Sequence, residues 1–155
     1  MLYFISESST PKKILNNSMN LKVIINISNL TKYKIVKAVF TKTAQSILQD
    51  TKLSGIVELD LIFCGSIFMR RLNNKYRSID SVTDVLSFPL SQIEKGRKTR
   101  KTFPSPTDIP LLLGDIAICY PAAIRQAKEN NITINKEINN LFQHGLRHLV
   151  GFHHK

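Results

Sequence analysis

Residues 55–64 read GIVELDLIFC. Val57, Leu59, Leu61 and Phe63 take every second position, with Ile56, Glu58, Asp60 and Ile62 between them, so an extended chain here carries one uniformly apolar side and one mixed side. That alternation predicts a strand over Ile56–Cys64, opened by Gly55. Upstream, Val23, Ile25 and Ile27 alternate in the same way and predict a first strand over Lys22–Ile27. Between the two, Ile35, Val36, Val39, Phe40, Ala44, Ile47 and Leu48 recur at spacings of three and four, which is the period of an amphipathic helix from Thr31 to Gln49. Downstream, Ser66 is placed to cap a short helix running to about Tyr76, with Ile67, Phe68 and Leu72 inward.

DVLSF (residues 84–88) predicts a third strand stopped by Pro89, which has no amide hydrogen to give a ladder. GDIAICY (114–120) predicts a fourth, and Pro121 suits the first turn of a helix reaching about Asn131. Thr133 or Asn135 then caps a last helix whose buried stripe is Ile138, Leu141, Phe142, Leu146 and Leu149, with Gly151 ending it. Residues 90–110 carry Lys95, Arg97, Lys98, Arg100 and Lys101, followed by three prolines. They read as a long mobile loop with no helical pattern. A third-to-fourth strand connection without a helix implies a mixed four-stranded sheet packed with helices, an α+β layer fold.

The chain has 155 residues, enough for one domain with a real core, and too few for a two-domain cofactor enzyme. Residues 1–20 read as a flexible N-terminal extension to a single domain over 21–155. Twenty-two Lys and Arg against eleven Asp and Glu give a net charge of +11, which favours a polyanionic partner, nucleic acid first. No stretch approaches the roughly 18–20 apolar residues of a membrane span, and the N-terminus lacks a signal-peptide pattern. Cys64 and Cys119 sit in separate apolar runs and read as reduced core thiols of a cytoplasmic protein.

All four histidines fall within residues 144–154. His144 and His148, four apart on the last helix, project from one face about a turn apart, as two ligands of one metal must. Gly151 can take the left-handed conformation that reverses the chain and brings His154 back over them. The pattern H-x3-H-x2-G-x2-H offers three neutral imidazoles to one Zn2+, leaving a fourth position for water. Surface histidines at a chain end, or a histidine-rich tail that scavenges metal nonspecifically, are the bland alternatives. The spacing matches that of the metzincin proteases, but Gly145 stands where their glutamate base would be. Peptide hydrolysis thus loses its proton acceptor, and the positive charge turns attention to a phosphodiester.

With these blocks in view, the chain resembles the YbeY family of bacterial rRNA maturation factors, described as single-strand-specific, zinc-containing endoribonucleases. HGLRHLVGFHH (144–154) is similar to the family's H-G-x-L-H-L-x-G-[YF]-D-H. LNNKYRSIDSVTDVLSFP (72–89) resembles L-N-x-x-Y-R-x-x-D-x-x-T-D-V-L-S-F-P, and LGDIAICYPAAIRQAKEN (113–130) resembles L-G-D-I-x-I followed by a helix containing Q-A. The resemblance implies one zinc ion on His144, His148 and His154, and a functional arginine at Arg77. It also implies single-stranded RNA, an rRNA precursor and the small ribosomal subunit as partners, with 16S rRNA 3′-end maturation as the task. His153 stands where the family has aspartate, and Arg147 where it has leucine.

A guanidinium suits Arg77's implied role because it can hold a phosphate through two parallel hydrogen bonds. The bland alternative is a surface arginine paired with Asp80. Asp84, Ser87 and Asp115 read as shaping the sheet and its caps. A second functional class is a non-catalytic rRNA- or ribosome-binding factor whose metal only braces the C-terminal turn.

Overall fold

The alternation in GIVELDLIFC becomes alternation of burial: Val57, Leu59, Leu61 and Phe63 are sequestered, while Glu58 and Ile62 are partly covered and Asp60 is exposed. The computed structural model describes residues 21–51, 53–90 and 109–151. Its elements run β1 (Leu21–Asn29), α1 (Lys37–Gln49), β2 (Gly55–Cys64), α2 (Ser66–Arg77), β3 (Val85–Pro89), β4 (Leu111–Cys119), α3 (Tyr120–Glu129) and α4 (Ile134–Leu149). The four strands form one sheet in the order β1-β2-β4-β3. β1, β2 and β4 are mutually parallel, and β3 lies antiparallel on the outside of β4. This is the mixed four-stranded α+β architecture expected from the missing helix between the third and fourth strands.

Both faces of the sheet are used, unequally. On one, Val57, Leu59, Leu61, Phe63, Ile116 and Ile118 meet Phe40, Ala44 and Leu48 of α1 and Ile138, Leu141, Phe142, Leu146 and Leu149 of α4. Phe40 anchors this layer, edge-on to Phe142 with ring centroids 5.2 Å apart and tilted on Phe63 at 5.8 Å. Each fully buried side chain of this size contributes about 1.5–3 kcal/mol, so this layer dominates the core. On the other face Cys64, Ala117, Cys119 and Leu86 pack under Met69 of α2 and Ala122 of α3.

Beyond one-residue shifts at β1 and β3, three element starts differ from the sequence reading, each for a local reason. α1 begins at Lys37, six residues later than Thr31, because the chain before it is tied into a polar turn. Asn29 Oδ1 accepts from the Thr31 amide and hydroxyl, Asn29 Nδ2 donates to the Tyr33 carbonyl, and the Tyr33 ring stacks on Tyr120 at 4.2 Å. Side-chain bonds of this kind compete with the helical ladder. β4 begins at Leu111, ahead of Gly114, since Leu111 and Leu112 pair with Val57 and Glu58 before a bulge shifts the register. An uninterrupted LLL run hides such a start from any period-two test. Ser66 is the first helical residue of α2; Gly65 is the cap position and no side chain caps it, and the helix turns Met69 and Asn73 to the sheet with Leu72 beside them, so Ile67 and Phe68, expected inward, are exposed. Thr133, of the two candidates, caps α4 by accepting from the Lys136 amide.

Cys64 and Cys119 are both free and buried. The sheet makes them register partners on adjacent strands. Burial, with the neighbouring Cys119, pushes the Cys64 thiol up to about 12. Residues 1–20 and the basic stretch Lys95–Lys101 lie outside the described residues.

Candidate functional site

The rotation of α4 about its axis is set by its apolar stripe, and its distance from the sheet by Gly145. A Cβ at Gly145 would stand 2.8 Å from Ile116 Cγ2, inside any real contact distance, so only glycine lets the helix come this close to β4. His144 and His148 flank this contact on the side facing β3. Their Nε2 atoms are 3.1 Å apart and the rings meet edge-on, with centroids 4.5 Å apart. At that Nε2 separation the two rings share a hydrogen bond, one donating and the other accepting, and it is also close to the roughly 3.3 Å between two nitrogens each about 2.0–2.1 Å from a tetrahedral ion, so the pair is compatible with two ligands on one metal. Beyond Leu149, the Gly151 amide donates to the His148 carbonyl and Gly151 takes φ +77°, the left-handed reversal expected of it. His153 and His154 lie outside the described residues, and among the described residues no group of three potential metal ligands occurs.

Arg77 comes from α2, of which it is the last residue; Ser78 follows in the left-handed conformation, φ 58°, and the chain turns away at once. The turn is pinned by Asn73 Nδ2 on the Ser81 carbonyl at 2.9 Å and by a two-pronged pair of Arg70 with Asp80, both contacts 2.7 Å. The hydrogen bonds from Arg70 hold the Asp80 carboxyl below its usual range. Asp80 is therefore the partner of Arg70, and the surface-pair alternative for Arg77 falls away. Arg77 instead lines a cavity of about 390 Å³ together with Val85, Leu86, Ser87, His144, Gly145 and His148. Among the described residues no carboxylate lines that cavity, so it joins two imidazoles to an uncompensated guanidinium and suits a bound anion.

The family profile for Endoribonuclease YbeY matches residues 24–155 of this sequence. The chain belongs to the YbeY endoribonuclease family. The Endoribonuclease YbeY of Desulforamulus reducens is 36% identical over 132 residues, spanning 83% of this chain and 82% of its own. That of Caldicellulosiruptor saccharolyticus is 34% identical over 137 residues, spanning 86% and 85%. A solution structure of a Thermotoga maritima protein superposes with a TM-score of 0.55 at 26% identity, over 85% of this chain and 75% of that one.

Within the YbeY-like block 72–89, position in the fold separates chemistry from support. Burial pushes the Asp84 carboxyl up, but hydrogen bonds from Gln126, the Val85 amide and Thr83 outweigh it and hold the group below the ordinary carboxylate range. Asp84 thus ties β3 to α3 and does not line the cavity, as the sequence reading had it. Asp115 lies beside Asp60 across the sheet, raised by burial and by that neighbour, also away from the cavity. Ser87 departs from its reading as a sheet-shaping residue. It belongs to the cavity wall, and the motif alone does not reveal this because which helix covers its face depends on strand order.

Proposed function

We propose that this protein is a zinc-dependent, single-strand-specific endoribonuclease that acts in the cytoplasm on rRNA precursor and the small ribosomal subunit, in 16S rRNA 3′-end maturation and ribosome biogenesis. One observation carries the reading: His144 and His148, at ligand spacing, share a single cavity with Arg77. His144, His148 and His154 would hold one Zn2+, which when bound would supply Lewis acidity and lower the pKa of a coordinated water. Arg77 would clamp the scissile phosphate through two N–H donors and hold it as charge grows on its oxygens, a role Lys fills less well. Gly145 favours RNA over peptide, since the helix packs too close to Ile116 for a glutamate base at that position. Among the described residues no helix is long and apolar enough to cross a membrane.

The test is cleavage of a labelled single-stranded RNA and its duplex by zinc-loaded protein, beside His144→Ala and Arg77→Ala. We expect the single strand to be cut, with at least a tenfold loss in each variant and loss of zinc only in His144→Ala. Protein that binds rRNA with unchanged affinity in both variants and never shortens it would instead be the non-catalytic assembly factor. Zinc retained in full by His144→Ala would refute the ligand assignment.

A further inference from the structure

β3 is an edge strand, and the register states which of its backbone groups face outward. The Cys119 amide donates to the Asp84 carbonyl and the Leu90 amide to the Leu113 carbonyl, which fixes residues 84, 86, 88 and 90 as those bonded to β4. Positions 85, 87 and 89 therefore turn their backbone to the free edge. Of these, Val85 spends its N–H on Asp84 Oδ1 at 2.7 Å, and Pro89 has none. Ser87 holds the one outward N–H of the strand. Its side chain shares the face of Val85, which packs on the core layer that includes α4, whereas Leu86 and Phe88 lie on the opposite face. The Ser87 hydroxyl makes no hydrogen bond to the described residues, and Ser87 lines the same cavity as Arg77, His144 and His148.

We infer that Ser87 is a substrate-positioning residue, its outward amide and hydroxyl binding a phosphate oxygen of a single RNA strand laid along the β3 edge beside Arg77. This rests on the RNA-cleaving reading above. A neutral donor pair complements the Arg77 charge: Arg77 supplies attraction, and the amide, fixed in a sheet, supplies direction without an entropy cost of ordering a long side chain. The neighbouring outward groups are the Val85 and Ser87 carbonyls and the Asp84 carboxylate that takes the Val85 N–H, all of which repel a phosphate, so the edge admits one at the Ser87 amide and disfavours it on either side.

The test compares the full chain with Ser87→Ala, Ser87→Pro and Arg77→Ala. Fluorescence anisotropy with a fluorescein-labelled single-stranded RNA in chelator measures Kd across a salt series, and zinc-loaded protein gives kcat and KM. Proline is tolerated on an outward-facing edge position, so Ser87→Pro deletes both donors and leaves the ladder intact. Ser87→Ala should weaken binding about three- to tenfold and Ser87→Pro about tenfold further, seen in KM more than kcat, with zinc content unchanged. The salt slope should stay parallel to wild type in both, while Arg77→Ala flattens it by about 0.7, one phosphate contact. If Ser87→Pro fails to fold, Ser87→Val, which suits a strand and lacks the hydroxyl, takes its place and should weaken binding about three- to tenfold as Ser87→Ala does. Kd and KM within twofold of wild type in the Ser87 variants, with RNA still cut, overturn the inference alone. Wild-type protein that cuts no RNA overturns the nuclease reading, and the Kd series still decides Ser87.

Discussion

Gly145→Ala isolates the contact that seats the histidine helix. The added Cβ would lie 2.8 Å from Ile116 Cγ2 and 3.4 Å from its Cγ1 and Cδ1. Ile116 is fully buried, β-branched and held in β4 between β2 and β3, so its Cγ2 cannot swing aside and the helix must move. Overpacking of this kind costs about 1–3 kcal/mol. Alanine in a helix interior returns about 1 kcal/mol relative to glycine. The net expectation is a loss of about 0–2 kcal/mol, a fall in Tm of up to about 8 °C for a chain of this size. Urea denaturation followed by circular dichroism measures it, and a double-mutant cycle with Ile116→Ala assigns the cause. Once Cγ2 is gone, Gly145→Ala should stabilise by about 1 kcal/mol relative to Ile116→Ala alone. If Gly145→Ala stabilises the wild-type chain by that full amount, α4 is not seated by this contact and the reasoning fails.

Other expectations follow from single groups. Thr133→Ala removes the side-chain cap of α4 and should cost about 1 kcal/mol by chemical denaturation, with no change in the spectroscopic signature of the other helices. The Cys64 thiol, raised to about 12 when folded, stays protonated while the unfolded chain ionises near 9.0. Its contribution is complete below pH 9 and drains away as the pH climbs toward 12, so Cys64→Ala should flatten the alkaline stability loss, and thiol reagent should label neither cysteine until the protein unfolds. Asp84 has the opposite sign: its depressed folded pKa stabilises above the ordinary value of 3.8 and the benefit disappears as pH falls below it, so Asp84→Asn should show a shallower acid limb in a Tm-against-pH series. Under the zinc proposal, chelation should lower Tm by about 5–11 °C where zinc had stood at a hundredfold excess over Kd, about 2.7 kcal/mol. An unchanged melt would count against a tightly held ion.

Side-chain periodicity, with the prolines at 89 and 121, was enough to type the eight elements and to name the buried stripe of α4, because alternation and three-four spacing are properties of neighbouring residues; it misassigned the facing of the short α2, where Met69 and Asn73 are buried and Ile67 and Phe68 are exposed. It also paired His144 with His148, since four positions on a helix fix two side chains to one face. It failed where longer-range or side-chain-to-backbone bonds decide: the Asn29–Tyr33 turn delays α1, and pairing with β2 lengthens β4 into the LLL run. The Arg70–Asp80 pair was equally hidden, since Arg77 lies closer to Asp80 in sequence.

What sequence alone determined is therefore the inventory: a +11 domain of alternating strands and helices, a histidine pair at ligand spacing, and an arginine in a recognisable block. What only tertiary structure decided is adjacency. Placing β3 antiparallel on the outside of β4, beneath α4, brings Arg77, Ser87 and the two histidines around one cavity and leaves the Ser87 amide facing outward. The physical reason is that strand order and the close approach at Gly145 arise from burying two faces of one sheet at once, a condition satisfied by the whole chain and written in no short stretch of it.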